Sequence, residues 1–114
     1  MAVFNSGRPV YQKGGRVKSA TIRRASRDQT CAIRSNVCNH DPATVVGCHW
    51  AMPGFSGMGM KTDDLFILDG CSACHAALDH RDRWAMAGIN HYEILRALVE
   101  TQKRRLDAGH ITLA

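Results

Sequence analysis

The chain has 114 residues, of which 45% are hydrophobic and 22% are charged, and its formal net charge is +5. This length accommodates one domain, or one small domain with a tail. The sequence has no apolar run near the ~18 residues that a membrane span requires, and residues 1–9 lack the apolar core of a secretory signal. These features argue against a membrane or secreted protein and favour a cytoplasmic one, in which five cysteines more often bind metal than form disulfides.

The positive charge is concentrated near the N-terminus. Residues 1–29 contain seven Lys or Arg residues and one acid, a net charge of +6, whereas the other 85 residues sum to −1. This segment has few apolar residues and cannot bury enough surface to offset the entropy of ordering it. We therefore predict a basic, flexible arm over residues 1–29 and a folded domain over residues 30–114. The arm is either a solvated tail or a phosphate-binding segment with salt-dependent, sequence-independent affinity.

Hydrophobic patterning and turn residues divide the folded region into short elements. β-Branched and apolar runs predict two strands, and Pro and Gly mark the loop between them. An alanine-rich segment without helix breakers predicts a helix. In chain order, the predicted elements are an extended piece over 30–33, a turn over 36–42, a strand over 43–50, a loop over 52–64, a strand over 65–68 and a helix over 71–80.

A longer helix is predicted to begin after Asn90. This residue is a favourable N-cap and has Glu93 three positions later, as in a capping box, and Gly109 marks the helix end. The helical spacing places five apolar residues on one stripe: Tyr92, Leu95, Leu98, Val99 and Leu106. Three basic residues in the last turns either complement the helix dipole or contact DNA: Lys103, Arg104 and Arg105.

Four cysteines have the spacing of structural zinc ligands. Cys71 and Cys74 form a CxxC pair whose sulfurs can face one ion, and Cys31 and Cys38 lie at the start of the same region. Four thiolates are the ligand set of a closed tetrahedral Zn²⁺ site. A knuckle, a hairpin and a helix that begins at the second pair is the order of a treble-clef finger. The alternatives are a redox pair or small buried side chains, and Cys48 is either a packed fifth cysteine or a displaced ligand.

Histidine and aspartate residues lie at the ends of these elements. His49 ends the first predicted strand, Asp64 precedes the second, and His75 follows the CxxC pair. Asp79 lies four residues beyond His75, so both side chains share one helical face. A hairpin packed on that helix is expected to bring His49, His75 and Asp79 around one point. Each residue taken alone is equally well explained as an ordinary polar side chain.

Together these residues resemble the HNH, or ββα-metal, nuclease pattern. The matching residues are Cys48-His49-Trp50, a Gly-rich loop, Asp64-Leu65 and Cys71-Ser-Ala-Cys74-His75. From about Gln29 onward the chain is most similar to the prophage-encoded YbcO family of nucleases, relatives of the RecA-dependent phage nuclease Ref. The resemblance implies an α+β fold with a small zinc-stabilised treble-clef core and an added C-terminal helix. It also implies a cytoplasmic DNA endonuclease of phage or prophage origin, with DNA and a recombinase filament as candidate partners.

The resemblance implies a role for each of four residues. His49 resembles the general base that takes a proton from the attacking water, and Asp64 occupies the position of the Asn that orients this base. His75 resembles a ligand of a single catalytic ion, Mg²⁺ or Mn²⁺, and Asp79 takes the position of a second ligand. The sequence departs from the pattern twice, because Asp replaces Asn at 64 and Cys48 stands where a metal ligand often precedes the base.

Basic residues are the expected contacts to the nucleic-acid backbone. Four candidates come from the arm and one from the Gly-rich loop: Arg16, Lys18, Arg23, Arg24 and Lys61. Lys61 either contacts a phosphate or is merely exposed. Among the remaining histidines, His80 is a reserve ligand if Asp79 faces away, and three have no assigned role: His40, His91 and His110. The alternative function is a zinc-stabilised nucleic-acid-binding module without catalysis.

Overall fold

The computed structural model describes residues 17–50 and 63–113. Within these ranges the chain forms an α+β fold with one two-stranded sheet and four helices. None of the helices in this part of the chain has both the length and the apolar character needed to cross a membrane. The elements are α1 (Ala20–Arg24), β1 (Val46–His49), β2 (Ile67–Gly70), α2 (Ser72–Leu78), α3 (Trp84–Ala87) and α4 (His91–Asp107), with 3-10 turns at Pro42–Thr44, Asp64–Phe66 and Arg81–Arg83.

The two strands form an antiparallel hairpin in which His49 lies opposite Ile67. β2 begins two residues later than predicted, because the Asp63 carboxylate accepts the Leu65 N–H at 2.9 Å and caps a 3-10 turn there. All four β2 residues are buried. At the far end of the hairpin, a Cβ on Gly70 would lie 2.6 Å from the Ile33 side chain. A larger residue at position 70 would therefore have to displace the buried Ile33 side chain.

Local capping signals set the helix boundaries as predicted. The Asn90 side chain accepts the Glu93 N–H at 2.9 Å and begins α4, and Gly109, with a φ of +81°, follows the end of this helix. α2 begins after Cys71, whose sulfur accepts the Cys74 N–H at 3.4 Å. The cysteine that is predicted to bind metal therefore also caps the helix that follows it.

The buried face of α4 differs from the predicted apolar stripe. Tyr92, Leu95 and Val99 are 71%, 55% and 55% exposed, so the prediction is wrong for these three residues. The face that packs on the core carries Ile94, Ala97, Leu98, Thr101 and Arg105. The predicted and observed faces share Leu98. Two polar residues can occupy the buried face because both are hydrogen-bonded to Asp69 of β2.

The buried Asp69 carboxylate of β2 is joined to α4 and to the segment that follows α1. It is fully buried and accepts hydrogen bonds from the side chains of Ser26, Arg104 and Arg105. The Arg105 side chain is 2% exposed and also donates to the Ile22 carbonyl oxygen at 3.0 Å, which connects α4 to α1. Arg104 and Arg105 lie in the last turn of α4, as predicted, and both are also ion-paired with Asp69, a contact that the sequence does not predict.

α1 lies within the segment that the sequence predicts to be flexible. The Ser19 hydroxyl accepts the Ile22 N–H at 3.2 Å and begins this helix. The side chains of Ile22 and Ser26 are 5% and 1% exposed. These two side chains of residues 1–29 therefore pack against the rest of the domain. Arg16, also predicted within the arm, lies outside the described residues.

Replacement of Arg105 by Ala should destabilise the fold strongly, because it leaves the Asp69 carboxylate buried with fewer partners. We expect a loss in the free energy of unfolding of about 3–5 kcal/mol. The matched control is Lys103→Ala, which removes an exposed ion pair with Asp107 and should cost less than about 1 kcal/mol. Urea denaturation in zinc-supplemented buffer, followed by circular dichroism, measures both. Equal losses in the two variants would contradict the internal role of Arg105.

Candidate functional site

Four cysteine sulfurs converge beside the end of β2. The Sγ atoms of Cys31, Cys38, Cys71 and Cys74 all lie within 4.8 Å of one another. Three of these residues are buried and Cys38 is half-buried. Across residues 17–50 and 63–113, no other group of three or more His, Cys, Asp or Glu donors is clustered in this way. The four cysteines are therefore positioned to hold a metal ion, as the sequence predicts.

Backbone N–H groups point at these sulfurs. The Cys31 Sγ accepts the N–H groups of Arg34 at 3.4 Å and Cys71 at 3.3 Å. A hydrogen bond from the Cys74 thiol, assisted by these two N–H groups and opposed by burial, lowers the pKa of Cys31 to about 4. Thiolates stabilised by N–H groups are the form in which cysteine binds zinc. The donor set therefore fits a structural Zn²⁺ ion.

Cys48 lies outside this group. Its side chain is fully buried in the core, with the sulfur 3.7 Å from the Val46 carbonyl oxygen and 4.0 Å from that of Gly70. Burial raises the pKa of the Cys48 thiol, so this residue is neutral and unsuited to bind metal. Of the two predicted roles, the structure supports the packed fifth cysteine.

His49, at the end of β1, is hydrogen-bonded to a buried carboxylate. Its Nε2 lies 2.8 Å from Asp64 Oδ1, and the Asp64 side chain is 0% exposed. The other carboxylate oxygen accepts the Ser19 N–H and the Arg23 guanidinium, each at 2.6 Å. The two residues that the sequence places fifteen positions apart therefore form one unit, supported by the segment that contains α1.

The protonation state of this unit follows from its hydrogen bonds. Burial acts to raise the pKa of Asp64, but the hydrogen bonds from His49, Ser19 and Arg23 outweigh it and hold the pKa below its ordinary value. An ionised carboxylate only accepts hydrogen bonds, so Nε2 of a neutral His49 carries the ring proton. The Nδ1 atom then keeps its lone pair. The His49 side chain is 37% exposed, which leaves it accessible to a ligand.

His75 of α2 and Asp79, which caps the C-terminal end of this helix, form a second pair. The His75 Nε2 lies 3.3 Å from Asp79 Oδ2, and the two side chains are 39% and 58% exposed. The sequence predicts that both side chains lie close to His49. In the structure, Asp79 lines a cavity together with His49, but His75 is not among the lining residues of this cavity. The donor atoms of all three do not lie within 4.8 Å of one another.

A cavity of about 350 Å³ lies between β1 and the segment that follows α2. Its lining residues are His49, Trp50, Leu78, Asp79, Arg81, Trp84 and His91. The sequence analysis misses Arg81 and Trp84 and assigns no role to His91. Residues 81–87 have no predicted element, and no local pattern indicates that they face a histidine so far away in the chain.

The predicted nucleic-acid contacts divide into three groups. Lys18 and Arg24 are exposed. Arg23 is ion-paired with Asp64 and keeps 38% of its side chain exposed. Arg16 and Lys61 lie outside the described residues.

The described residues form a small α+β domain that combines a four-cysteine cluster with a hydrogen-bonded pair, His49 and Asp64. A family model described as "Putative nuclease YbcO" matches residues 20–110. The chain belongs to this family, which confirms the predicted similarity to the YbcO family. The match begins at α1, inside the segment predicted as an arm.

Two relatives and one solved structure are similar to the chain. "Putative nuclease YbcO" from Escherichia coli (strain K12) and "Putative nuclease ybcO" from Enterobacteria phage 82 are each 37% identical over 93 residues, 81% of this chain and 97% of the relative. The solved structure is "Structure of a putative bacteriophage protein from Escherichia coli str. K-12 substr. MG1655". It has a TM-score of 0.57 and 30% identity, and the match covers 78% of this chain and 100% of that chain.

Substitution within the cysteine cluster should abolish metal binding, whereas substitution of the packed cysteine should not. We expect about one tightly bound zinc per chain in the wild type and in Cys48→Ala, and loss of the metal with unfolding or aggregation in Cys71→Ser. Elemental analysis after desalting, together with circular dichroism, measures both effects. A folded Cys71→Ser variant with a full metal content would contradict the assignment of the cluster.

Acid should reduce the stability that Asp64 provides. The pKa of Asp64 in the folded protein lies below the value of about 3.9 expected in the unfolded chain. The ionised Asp64 therefore contributes fully to the free energy of unfolding above the unfolded-state pKa, and this contribution is lost as the pH falls through the folded-state pKa. Because an amide does not titrate, the stability advantage of the wild type over Asp64→Asn should shrink as the pH falls from about 6 to about 3.

Thermal denaturation of both proteins across this pH range measures the effect, with Asp107→Asn as an exposed-carboxylate control. The wild type should keep a nearly constant advantage over the control variant at each pH. An advantage over Asp64→Asn that does not change with pH would contradict the ionised state of Asp64.

Proposed function

We propose that this protein is a metal-dependent DNA endonuclease of the HNH type, which hydrolyses phosphodiester bonds in phage or prophage DNA processing. The observation that carries the proposal is the 2.8 Å contact between His49 Nε2 and the buried, ionised Asp64, at the wall of a cavity. The relatives named as nucleases support the same activity. The resemblance to Ref makes a recombinase filament the proposed protein partner.

His49 is the proposed general base. With the proton on Nε2 directed at Asp64, the Nδ1 lone pair is available to take a proton from the attacking water. Asp64 fixes the tautomer and the ring orientation, and its negative charge stabilises the imidazolium that forms. The hydrogen bonds from Ser19 and Arg23 keep the carboxylate ionised. Asp64 thereby orients the general base, which is the role of the Asn in the HNH pattern.

His75 and Asp79 are the proposed ligands of the catalytic Mg²⁺ or Mn²⁺ ion. An imidazole nitrogen and a carboxylate oxygen 3.3 Å apart on one exposed helical face suit an ion that keeps several positions for water and phosphate oxygens. When bound, such an ion polarises the phosphoryl group and stabilises the leaving oxygen. Asp79 and His49 line the same cavity, so both are available to a phosphate bound there.

The four cysteines are proposed to hold Zn²⁺ in a structural, treble-clef role. A closed set of four thiolates leaves no open position for water or substrate. Cys74 immediately precedes His75 in the chain, so a filled cluster holds the start of α2 and the residues that project from its outer face. Lys18 and Arg24, both exposed, are the proposed contacts to the DNA backbone.

A zinc-stabilised nucleic-acid-binding module without catalysis is the second candidate. One observation favours it: His75, a proposed metal ligand, does not line the cavity that contains His49 and Asp79. Both candidates predict salt-dependent DNA binding. They differ in whether His49 is required for cleavage.

Replacement of His49 by Ala should abolish plasmid nicking and leave DNA affinity nearly unchanged. Loss of a general base lowers the rate by about 10²–10⁴-fold. The measurement is gel analysis of supercoiled plasmid with Mg²⁺ or Mn²⁺, alongside a binding assay without added divalent metal. The exposed His110 provides a matched control, because His110→Ala should cleave like the wild type. Equal cleavage by the wild type and His49→Ala would contradict the proposal and favour the binding module.

A further inference from the structure

We propose that the cavity beside His49 binds an unpaired nucleobase, so that the preferred substrate is single-stranded or locally unpaired DNA. This inference rests on the proposed function and specifies the substrate class of the same site. It is carried by the aromatic rings that line the cavity together with His49, namely Trp50, Trp84 and His91.

The three rings form one packed cluster. The centroids of the Trp50 and Trp84 rings lie 5.5 Å apart, with the ring planes at 43°. The His91 ring is oriented edge-on to both, with its centroid 6.3 Å from that of Trp50 and 5.5 Å from that of Trp84. Trp84 is anchored, because its indole N–H donates to the Leu78 carbonyl oxygen at 3.0 Å and the residue is 8% exposed. Trp50 is only half-buried, so it is the ring with surface available to a ligand.

A cation is held against the same aromatic cluster. The Arg81 guanidinium carbon lies 4.5 Å from the Trp84 ring centroid, and one Arg81 Nη lies 3.1 Å from His91 Nε2. These contacts position the charge while the residue remains exposed. Sites for single-stranded nucleic acid combine aromatic rings that stack on bases with cations that contact phosphates. Both kinds of group line this cavity.

The size and position of the cavity fit a single nucleotide. Its volume of about 350 Å³ lies within the range of about 300–1,000 Å³ seen for small-ligand pockets. A base paired within a duplex is stacked between its neighbours and can enter such a cavity only after it leaves the helix. Because His49 lines the same cavity, a base against Trp50 brings its flanking phosphate close to the proposed general base.

The test compares the affinities of two DNA probes without added Mg²⁺ or Mn²⁺. One probe is a fluorescein-labelled oligothymidylate of about twelve nucleotides, and the other is a labelled hairpin duplex with the same number of nucleotides. We expect the wild type to bind the single strand about tenfold more tightly than the duplex. Trp50→Leu keeps apolar bulk without a π face and should lose about tenfold in single-strand affinity. Trp50→Phe should retain most of it, and neither variant should change duplex affinity.

Two arginine variants give a matched comparison for the cation. Arg81→Ala should weaken binding of the single strand selectively. Arg83→Ala, on the same exposed 3-10 turn but outside the lining of the cavity, should affect both probes equally or not at all. Thermal denaturation and zinc content establish that all four variants are folded.

The outcomes separate this inference from the proposed function. Equal affinity of the wild type for both probes, or equal effects of Trp50→Leu and Trp50→Phe, would overturn the nucleobase site. Cleavage that depends on His49 would then still support the nuclease. Conversely, a single-strand preference that depends on an aromatic ring at position 50 supports the site, even where His49→Ala and wild type cleave equally and the nuclease proposal fails.

Discussion

The four-cysteine cluster is the constraint on which the position of the candidate site depends. It joins the segment 31–38 to the first turn of α2, immediately after β2 ends. A two-stranded sheet with mostly short helices buries little apolar surface, and small domains of this kind commonly rely on a metal or another cross-link. Because Cys74 precedes His75 within α2, an ion held by the four cysteines would also fix the start of this helix and the position of His75.

A second constraint comes from charge that is buried in the hairpin. The Asp69 carboxylate lies inside the domain, and an ion in such an environment is tolerated only when its partners offset the cost of desolvation. Arg105 is itself almost fully buried and provides this charge. Its remaining donors reach the Ile22 carbonyl oxygen and the Ser26 hydroxyl. The segment around α1 is therefore ordered by polar contacts that its own composition does not reveal.

Capping signals and a set of metal-binding cysteines are predictable from the sequence, whereas most other side-chain contacts across the chain are not. The cap at Asn90 and the cysteine cluster were found because each follows from spacing and from the chemistry of one side-chain type. The predicted buried face of α4 is wrong because apolar periodicity carries no information about the carboxylate partner of Arg105, which lies 36 positions away in the chain. The same limit applies to Trp84 and His91, whose place at the cavity depends on how α3 packs rather than on any motif.

The buried carboxylate of Asp64 and the basic character of α1 are parts of one arrangement. A buried amide at this position would need no counter-charge, whereas a buried carboxylate does. Arg23 supplies it at 2.6 Å, and the Ser19 N–H completes the set of donors. The carboxylate in turn offers His49 a charged partner, which stabilises a protonated ring better than an amide can. Two residues of the segment predicted as a nucleic-acid-binding arm, Ser19 and Arg23, thus contact the carboxylate that is hydrogen-bonded to His49.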